Sequence, residues 1–472
     1  MLGAAGAACA IPAPVLAALA AERKHVLHIP VDDLRCALGC YGDPHAITPN
    51  MDRLAAGGTL FERAYVPVAI CSASRASILT GTRPATNTVT YPYNDHFRDV
   101  VVKQHPTFTT HLERQGAWSA MLGKIHHSDH DTIEELDRPH FDGRTEGRNW
   151  KDYAVAEHHD MQADGRGGPA WESADVPDDA YRDGKLTDEA VALMRRYAEE
   201  QPDDPLLLSV GYLKPHLPFN APKRYFDLYD RDALPDLRYP TDETAPDAAR
   251  ASYELRGDSY AGSPAADDGL VEDETARDLT HAYYACVSYV DAQVGRLLDA
   301  LEETGLADDT VIVLWGDHGF HLGEQQVWGK HVNYEVATRV PFLWSGPGVP
   351  AGRRVSEVVE VMDTYRTLCD LTDAEPPQHV VGKSLVDLMH GRDPDHESVA
   401  FSDYGRNSEY HGYAIRVPRW RYIEWRHTET GAVQARELYD HDADPAERVN
   451  VAEDHPDPIA TLSARLAEHY EL

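Results

Sequence analysis

Several places along this chain carry residues whose type and spacing could do chemistry on an anion. The first is Cys71-Ser72-Ala73-Ser74-Arg75. The apolar Ile78 and Leu79 that follow lead to Gly81, a natural helix stop. As a short helix, the stretch puts Cys71 at an N-terminus, where free N–H groups and the helix dipole favour an anion. Arg75 lies one turn on, on the same face, and adds a planar fork of donors for an oxyanion. A buried Cys opening an ordinary helix reads the same way from these residues alone.

Carboxylates come next. The apolar run His25 to Val31 reads as a buried parallel strand and ends in Asp32-Asp33. Sites in open α/β sheets gather beyond the carboxyl ends of strands. A cation between two adjacent, repelling carboxylates is a physical reason for the pair; a solvated strand–loop corner is the plain alternative. A second buried run, Thr310 to Trp315, leads into Gly316-Asp317-His318-Gly319 and on to Glu324 to Lys330. Asp32, Asp33, Asp317 and His318 can converge from two distant strand ends only in a parallel-type sheet. The helix His281 to Gly305 supplies the crossover, with Tyr284, Val287, Val294, Leu297, Leu298 and Leu301 on a 3.6-residue stripe.

Two further strand ends carry chemistry-bearing loops. Trp118 to Leu122 runs into Gly123-Lys124-Ile125-His126-His127. Leu206 to Tyr212 runs into Leu213-Lys214-Pro215-His216-Leu217-Pro218-Phe219, whose prolines fix the loop. His216 is thereby held in one place, which suits a positioned acid or base, although a His capping a rigid turn fits as well.

The elements that must position these residues give an α/β fold: a large domain with a mostly parallel central sheet flanked by helices. Asn50 to Gly58 and Thr109 to Gln115 read as helices, Phe61 to Ile70 as an apolar approach to Cys71, and Val340 to Trp344 as another strand. The region Asp129 to Asp204 is polar and weakly periodic, so excursions over the site are expected there rather than core. Asp227 to Asp278 reads as a solvated acidic insertion. Val355 to Leu371 closes the large domain. Beyond about His390, Val399–Ser402, Tyr413–Val417, Trp420–Trp425 and Ala435–Tyr439 alternate like short strands, and a helix from Pro458 to Tyr470 follows. This predicts a small C-terminal antiparallel sheet with one helix. Asp440 to Val451 lacks the Gly and final Glu of a calcium loop and reads as a loop. The expected divisions are 1–21 as an export-signal remnant, 22–392 as the catalytic domain and 393–472 as a C-terminal α+β subdomain.

Composition sets limits on function. At 472 residues and 42% hydrophobic content the chain is long enough for two domains. A net charge of −35 argues against a nucleic-acid partner. No stretch approaches a membrane span. Six Cys fit no paired metal motif, and Cys36 and Cys40 are expected as free thiols. Met1 to Ala21 is Ala-rich and ends like an export-signal h-region with a small-residue cleavage site. It resembles the tail of a twin-Arg signal, which implies a periplasmic or secreted protein.

Five separated motifs stand in the order seen in type I sulfatases of the alkaline phosphatase superfamily: Val31-Asp32-Asp33-Leu34-Arg35, the Cys71 stretch, Gly123-Lys124, Gly211 to Phe219 and Gly316 to Lys330. The Cys71 stretch is similar to the signature Cys-x-Pro-Ser-Arg, with Ala73 where the family has Pro. The iduronate-2-sulfatase branch has the nearest look. The resemblance implies an alkaline-phosphatase-like fold and a sulfuric ester hydrolase acting on a small-molecule or oligosaccharide sulfate ester, with a sulfated sugar as the substrate class. It implies that Cys71 is oxidised to formylglycine, the nucleophile, by a formylglycine-generating enzyme. It implies one calcium ion held by Asp32, Asp33, Asp317 and His318, with the oxidised Cys71 also reaching it. Arg75, Lys124 and Lys330 would neutralise the sulfate, His216 would act as general acid assisted by Lys330, and His126 as base. The family places this His two or three residues after the Lys; we take His126 rather than His127. The rivals are a phosphatase or phosphonate monoester hydrolase of the same superfamily, and a sulfated-glycan binder with unmodified Cys71.

Overall fold

A computed structural model of the chain describes residues 24–84, 105–127, 140–141, 150–163, 167–200, 203–246, 249, 254–255, 259–261, 270–406 and 409–472. The expected export signal at 1–21 lies outside them. The first half of the large unit contains β1 (His25–Val31), α1 (Pro49–Ala56), β2 (Gly58–Tyr65), α2 (Cys71–Thr80), α3 (Phe108–Arg114) and β3 (Trp118–Gly123). The second half contains α4 (Arg182–Glu200), β4 (Leu206–Gly211), α5 (Asp273–Thr304), β5 (Thr310–Gly316), β6 (Phe342–Ser345), β7 (Arg353–Glu360) and α6 (Thr364–Leu371). The central sheet runs Arg339–Val340, β2, β6, β5, β1, β4, β3, His140–Phe141, with β7 beside β2. β1 pairs parallel with both β4 and β5, and β3 with β4, whereas β6 runs antiparallel between β2 and β5.

This topology puts the carboxyl ends of β1, β3, β4 and β5 along one edge, each followed by a candidate functional loop. The strands there are apolar on both sides because both faces are covered. One face (Leu27, Ile29, Leu208, Leu314) packs on α4 and α5; the other (Val26, Leu207, Val313, Trp315) packs on α2, α3 and α6. α5 begins at Asp273, two turns before the expected His281, with Asp273 and Glu274 in its first turn, where the dipole favours acids. Gly305 ends it at φ 74°.

The expectation that Asp129 to Asp204 holds excursions and no core is corrected by α4. Leu186, Ala190, Leu193 and Met194 form its buried stripe, each large apolar side chain contributing about 1.5–3 kcal/mol. The apolar approach to Cys71 is in part β2, which begins at Gly58.

β8 (Ala400–Arg406), β9 (Tyr410–Arg416), β10 (Trp420–His427) and β11 (Val433–Asp440) form a four-stranded antiparallel sheet, backed by Leu462 and Leu466 of α7 (Pro456–Tyr470). The sheet clasps the large unit. Buried Arg421 bonds Glu335 at 2.6 Å and Glu447 at 2.5 Å, and Ser402 Oγ donates to the Val66 carbonyl at 2.8 Å. His441 joins Glu447 at 2.9 Å, so this cluster is an ion-pair network closed by Arg421.

The ends of β3 and β4 meet through two glycines. Gly123 has φ 76°, and a Cβ there would stand 2.3 Å from the Gly211 carbonyl; a Cβ on Gly211 would stand 2.1 Å from that of Lys124. This close approach lets Lys124 N donate to Gly211 O at 2.8 Å and sets the start of the Lys124 loop. We expect Gly211→Ala to destabilise the fold by about 2 kcal/mol, read from urea unfolding. A loss below about 0.5 kcal/mol would contradict this packing account.

Candidate active site

Cys71 opens α2, as the spacing predicts, and Gly81 closes it at φ 65°. Its Sγ lies 3.1 Å from His318 Nε2. Because His318 Nδ1–H donates to the Gly319 carbonyl at 3.0 Å, Nε2 carries the lone pair and accepts from the thiol. Burial holds this ring neutral, down to about 4. Burial, then the Asp32 carboxylate, also pushes the Cys71 thiol well above its usual range.

Arg75 is buried one turn on. Its Nε donates to Asp317 Oδ2 at 2.7 Å, and Nη1 donates to the carbonyls of Lys124 and of Ile125, the latter at 3.2 Å. Ser74 Oγ donates to the Asp317 carbonyl at 2.6 Å. The N-terminal turn of α2 is thus fastened to the end of β5. Arg75 Nη2 makes no hydrogen bond, which leaves one prong of the fork for an anion.

The chain turns sharply after β1 through Asp33 at φ 61°, a left-handed conformation Asp tolerates. Asp33 N donates to Asp317 Oδ1 at 3.1 Å, and Tyr283 of α5 donates to the Asp33 carbonyl at 2.7 Å. Asp32, Asp33 and Asp317 are all buried and paired with cations: Lys124 bonds Asp32, Lys330 bonds Asp33 at 2.6 Å, and Arg75 bonds Asp317 and also lies 3.7 Å from Asp32. Burial opposes ionisation of both residues of the adjacent pair. At Asp32 it is outweighed by Lys124, His216 and Arg75, which hold the carboxyl well below its usual range. At Asp33 burial wins over Lys330, and Asp32 adds repulsion, so this carboxyl lies well above it.

Donor atoms of Asp32, Cys71, Asp317 and His318 lie within 4.8 Å of one another, as do those of Asp32, Asp33, Cys71 and His216. Asp32 Oδ1 and Asp33 Oδ2 are buried without a hydrogen-bond partner. Unsatisfied carboxylate oxygens beside a neutral imidazole fit a divalent cation, the oxygens favouring a hard one. The residues present therefore fit a metal centre.

His216 reaches this group from the β4 loop. Both oxygens of buried Asp183 accept from backbone N–H groups, Leu213 at 3.0 Å and Lys214 at 2.8 Å. Lys214 Nζ donates to the carbonyls of His216 at 2.7 Å and Pro218 at 2.6 Å. His216 Nδ1–H donates to the Leu217 carbonyl at 2.5 Å, so the neutral ring keeps Nε2 as its basic nitrogen. Burial, then Lys330, holds this imidazole well below its usual range.

Two neighbouring histidines follow Lys124. His127 is brought down to about 3 by burial and by Lys124, with Asp32, Lys330 and Arg75 also acting on it. His126 is buried and acts on His28, in the middle of β1. Sequence reasoning missed Glu254, whose carboxylate lies 3.2 Å from Lys330 Nζ. No local signal in the acidic insertion could have singled it out.

The sulfatase family model matches residues 24–374, and a model for the C-terminal part of N-sulphoglucosamine sulphohydrolase matches 323–471. The iduronate 2-sulfatase of Homo sapiens is 30% identical over 517 residues, covering 92% of each chain. A sulfatase of Formosa agariphila is 29% identical over 452 residues, covering 91% of this chain and 83% of its own. Among solved structures, a phosphonate monoester hydrolase from Silicibacter pomeroyi superposes with a TM-score of 0.74 at 23% identity, over 95% of both chains, and shares the fold. The match over residues 24–374, which contain Cys71, the three aspartates and all three site cations, places this chain in the sulfatase family of sulfuric ester hydrolases.

Proposed function

We propose that this chain hydrolyses a sulfate ester on a sugar, using a formylglycine made from Cys71 and one calcium ion. One observation carries the reading: three carboxylates from the ends of β1 and β5 converge with His318 on residue 71 at a helix N-terminus, ringed by Arg75, Lys124 and Lys330. The name of the human relative, iduronate 2-sulfatase, supports a sulfated sugar.

Asp32, Asp33, Asp317 and His318 would hold the calcium, which supplies fixed positive charge for oxygens on sulfur and on residue 71. The state of Cys71 supports its modification, since a thiol kept protonated by burial is a weak nucleophile. An aldehyde hydrate there supplies two hydroxyls, one to attack sulfur and one whose deprotonation expels sulfate. Arg75 Nη2, Lys124 and Lys330 hold the sulfate oxygens. His216, fixed by its Leu217 bond, takes up a proton at Nε2 as the anion arrives and gives it to the leaving alkoxide, with Lys330 alongside. The base is one of the adjacent pair His126, taken in the sequence reading, and His127, on which Lys124, Asp32, Lys330 and Arg75 act.

In active protein, peptide mass spectrometry should find formylglycine at position 71, and Cys71→Ala should abolish turnover. Full activity with a free thiol would contradict the proposal. In protein made without the maturing enzyme, alkylation of Cys71 should be slow at neutral pH and still rising above pH 9, followed by mass spectrometry; fast neutral labelling would refute the buried-thiol account. Calorimetric titration should show one calcium site, weakened about 100-fold or more by Asp317→Asn, with chelation inactivating and calcium restoring. Unchanged binding in that variant, or activity surviving exhaustive chelation, would remove the metal from the account.

A further inference from the structure

His216 marks the side of the pocket from which the leaving group departs, and Trp150 stands beside it. The two rings meet edge to face, with centroids 5.3 Å apart and planes at 88°. Trp150 is 42% exposed, whereas Trp315, Trp344 and Trp425 are buried. It is also anchored. The next residue, Lys151, is buried, donates through Nζ to the Ser259 carbonyl and lies 4.5 Å over the Tyr260 ring. The Lys151 carbonyl accepts from Asn220 Nδ2 at 2.8 Å, on the strand that continues the His216 loop. An indole held rigidly against the proposed proton donor, yet left open to water, offers a flat apolar face at little cost in ordering.

We infer that Trp150 is the platform on which the ring of the sulfated sugar lies while His216 protonates its ester oxygen. A pyranose presents a face of C–H groups that covers an indole, and its ester oxygen then points toward His216. An exposed indole could also take a quaternary ammonium. Here the Lys151 ammonium already stands 5.6 Å from the Trp150 ring centroid and repels a second cation, which favours a neutral or acidic ring. This inference rests on the sugar-sulfatase reading above and deepens it by assigning the residue that selects for the ring.

The test compares wild type, Trp150→Ala and Trp150→Phe on a panel of monosaccharide sulfates, with choline sulfate as an acyclic, cationic comparator and inorganic sulfate as a competitive inhibitor. For the sugar esters, Trp150→Ala should raise KM about tenfold while kcat changes less than about threefold, and Trp150→Phe should recover most of the loss. The inhibition constant of inorganic sulfate, which fills only the anion pocket, should move less than about twofold. Wild-type kinetics on the sugar esters in Trp150→Ala would overturn the inference while leaving the sugar-sulfatase reading intact. A parallel loss of sulfate inhibition and kcat, unrelieved by Phe, would also overturn it, by showing that Trp150 merely supports His216. Wild-type turnover of choline sulfate, with none of any monosaccharide sulfate, would overturn both readings.

Discussion

Three buried carboxylates set against three buried cations are the constraint from which this architecture follows. Removing an ion from water costs several kcal/mol even after relaxation, so Asp32, Asp33 and Asp317 can stay inside only if each is matched. Lys124, Lys330 and Arg75 match them, and each comes from a different part of the chain. The strand order of the sheet brings them together. β1 and β5 are parallel neighbours, so Asp32-Asp33 and Asp317 leave the sheet side by side. β3 lies one strand beyond β4, which places Lys124 within reach of Asp32. The pairs overlap, since Arg75 also lies 3.7 Å from Asp32 and Lys330 lies 3.2 Å from Glu254, and Asp32 Oδ1, Asp33 Oδ2 and Arg75 Nη2 make no hydrogen bond, as expected of a pocket built for a cation and an anion together.

The C-terminal sheet belongs to the same arrangement. Lys330 follows the short strand Trp328–Gly329, paired with His321–Leu322, and the segment after it is gripped by the second unit. Asn333 Nδ2 donates to the Gly412 carbonyl at 2.9 Å, Tyr334 donates to Glu437 at 2.9 Å, and Arg421 ties Glu335 to Glu447. Removing Arg421 would leave two buried carboxylates under-compensated, the costly half of any buried ion pair. The second unit thereby helps to fix the segment that carries Lys330.

Much of this was legible in the sequence. Apolar runs ending in Asp, Lys or His mark buried parallel strands with loops at their carboxyl ends, because both faces of such strands must be apolar. The stripe from Tyr284 to Leu301 marks the crossover helix, and the alternating segments after His390 mark the antiparallel sheet. Other parts were hidden for physical reasons. α4 buries its side with Ala190, Thr187 and Gly184 as well as Leu, so its stripe is faint within an acidic region. β2 carries Glu62 and Arg63 in mid-strand and reads as two fragments. Glu254 meets Lys330 across 76 residues of chain, and nothing local signals that contact. His126 and His127 are adjacent, so the motif alone does not say which of them serves as the base.

The proposal that rests on this pocket is hydrolysis of a sulfate ester rather than a phosphate ester. The most direct measurement is kcat/KM for the sulfate and the phosphate monoester of one alcohol, 4-nitrophenol, with the same metal-loaded and matured protein. A preference for the sulfate of about 100-fold or more is expected, because a phosphate dianion brings a second negative charge in among Asp32, Asp33, Asp317 and Glu254. Equal or faster turnover of the phosphate would contradict it.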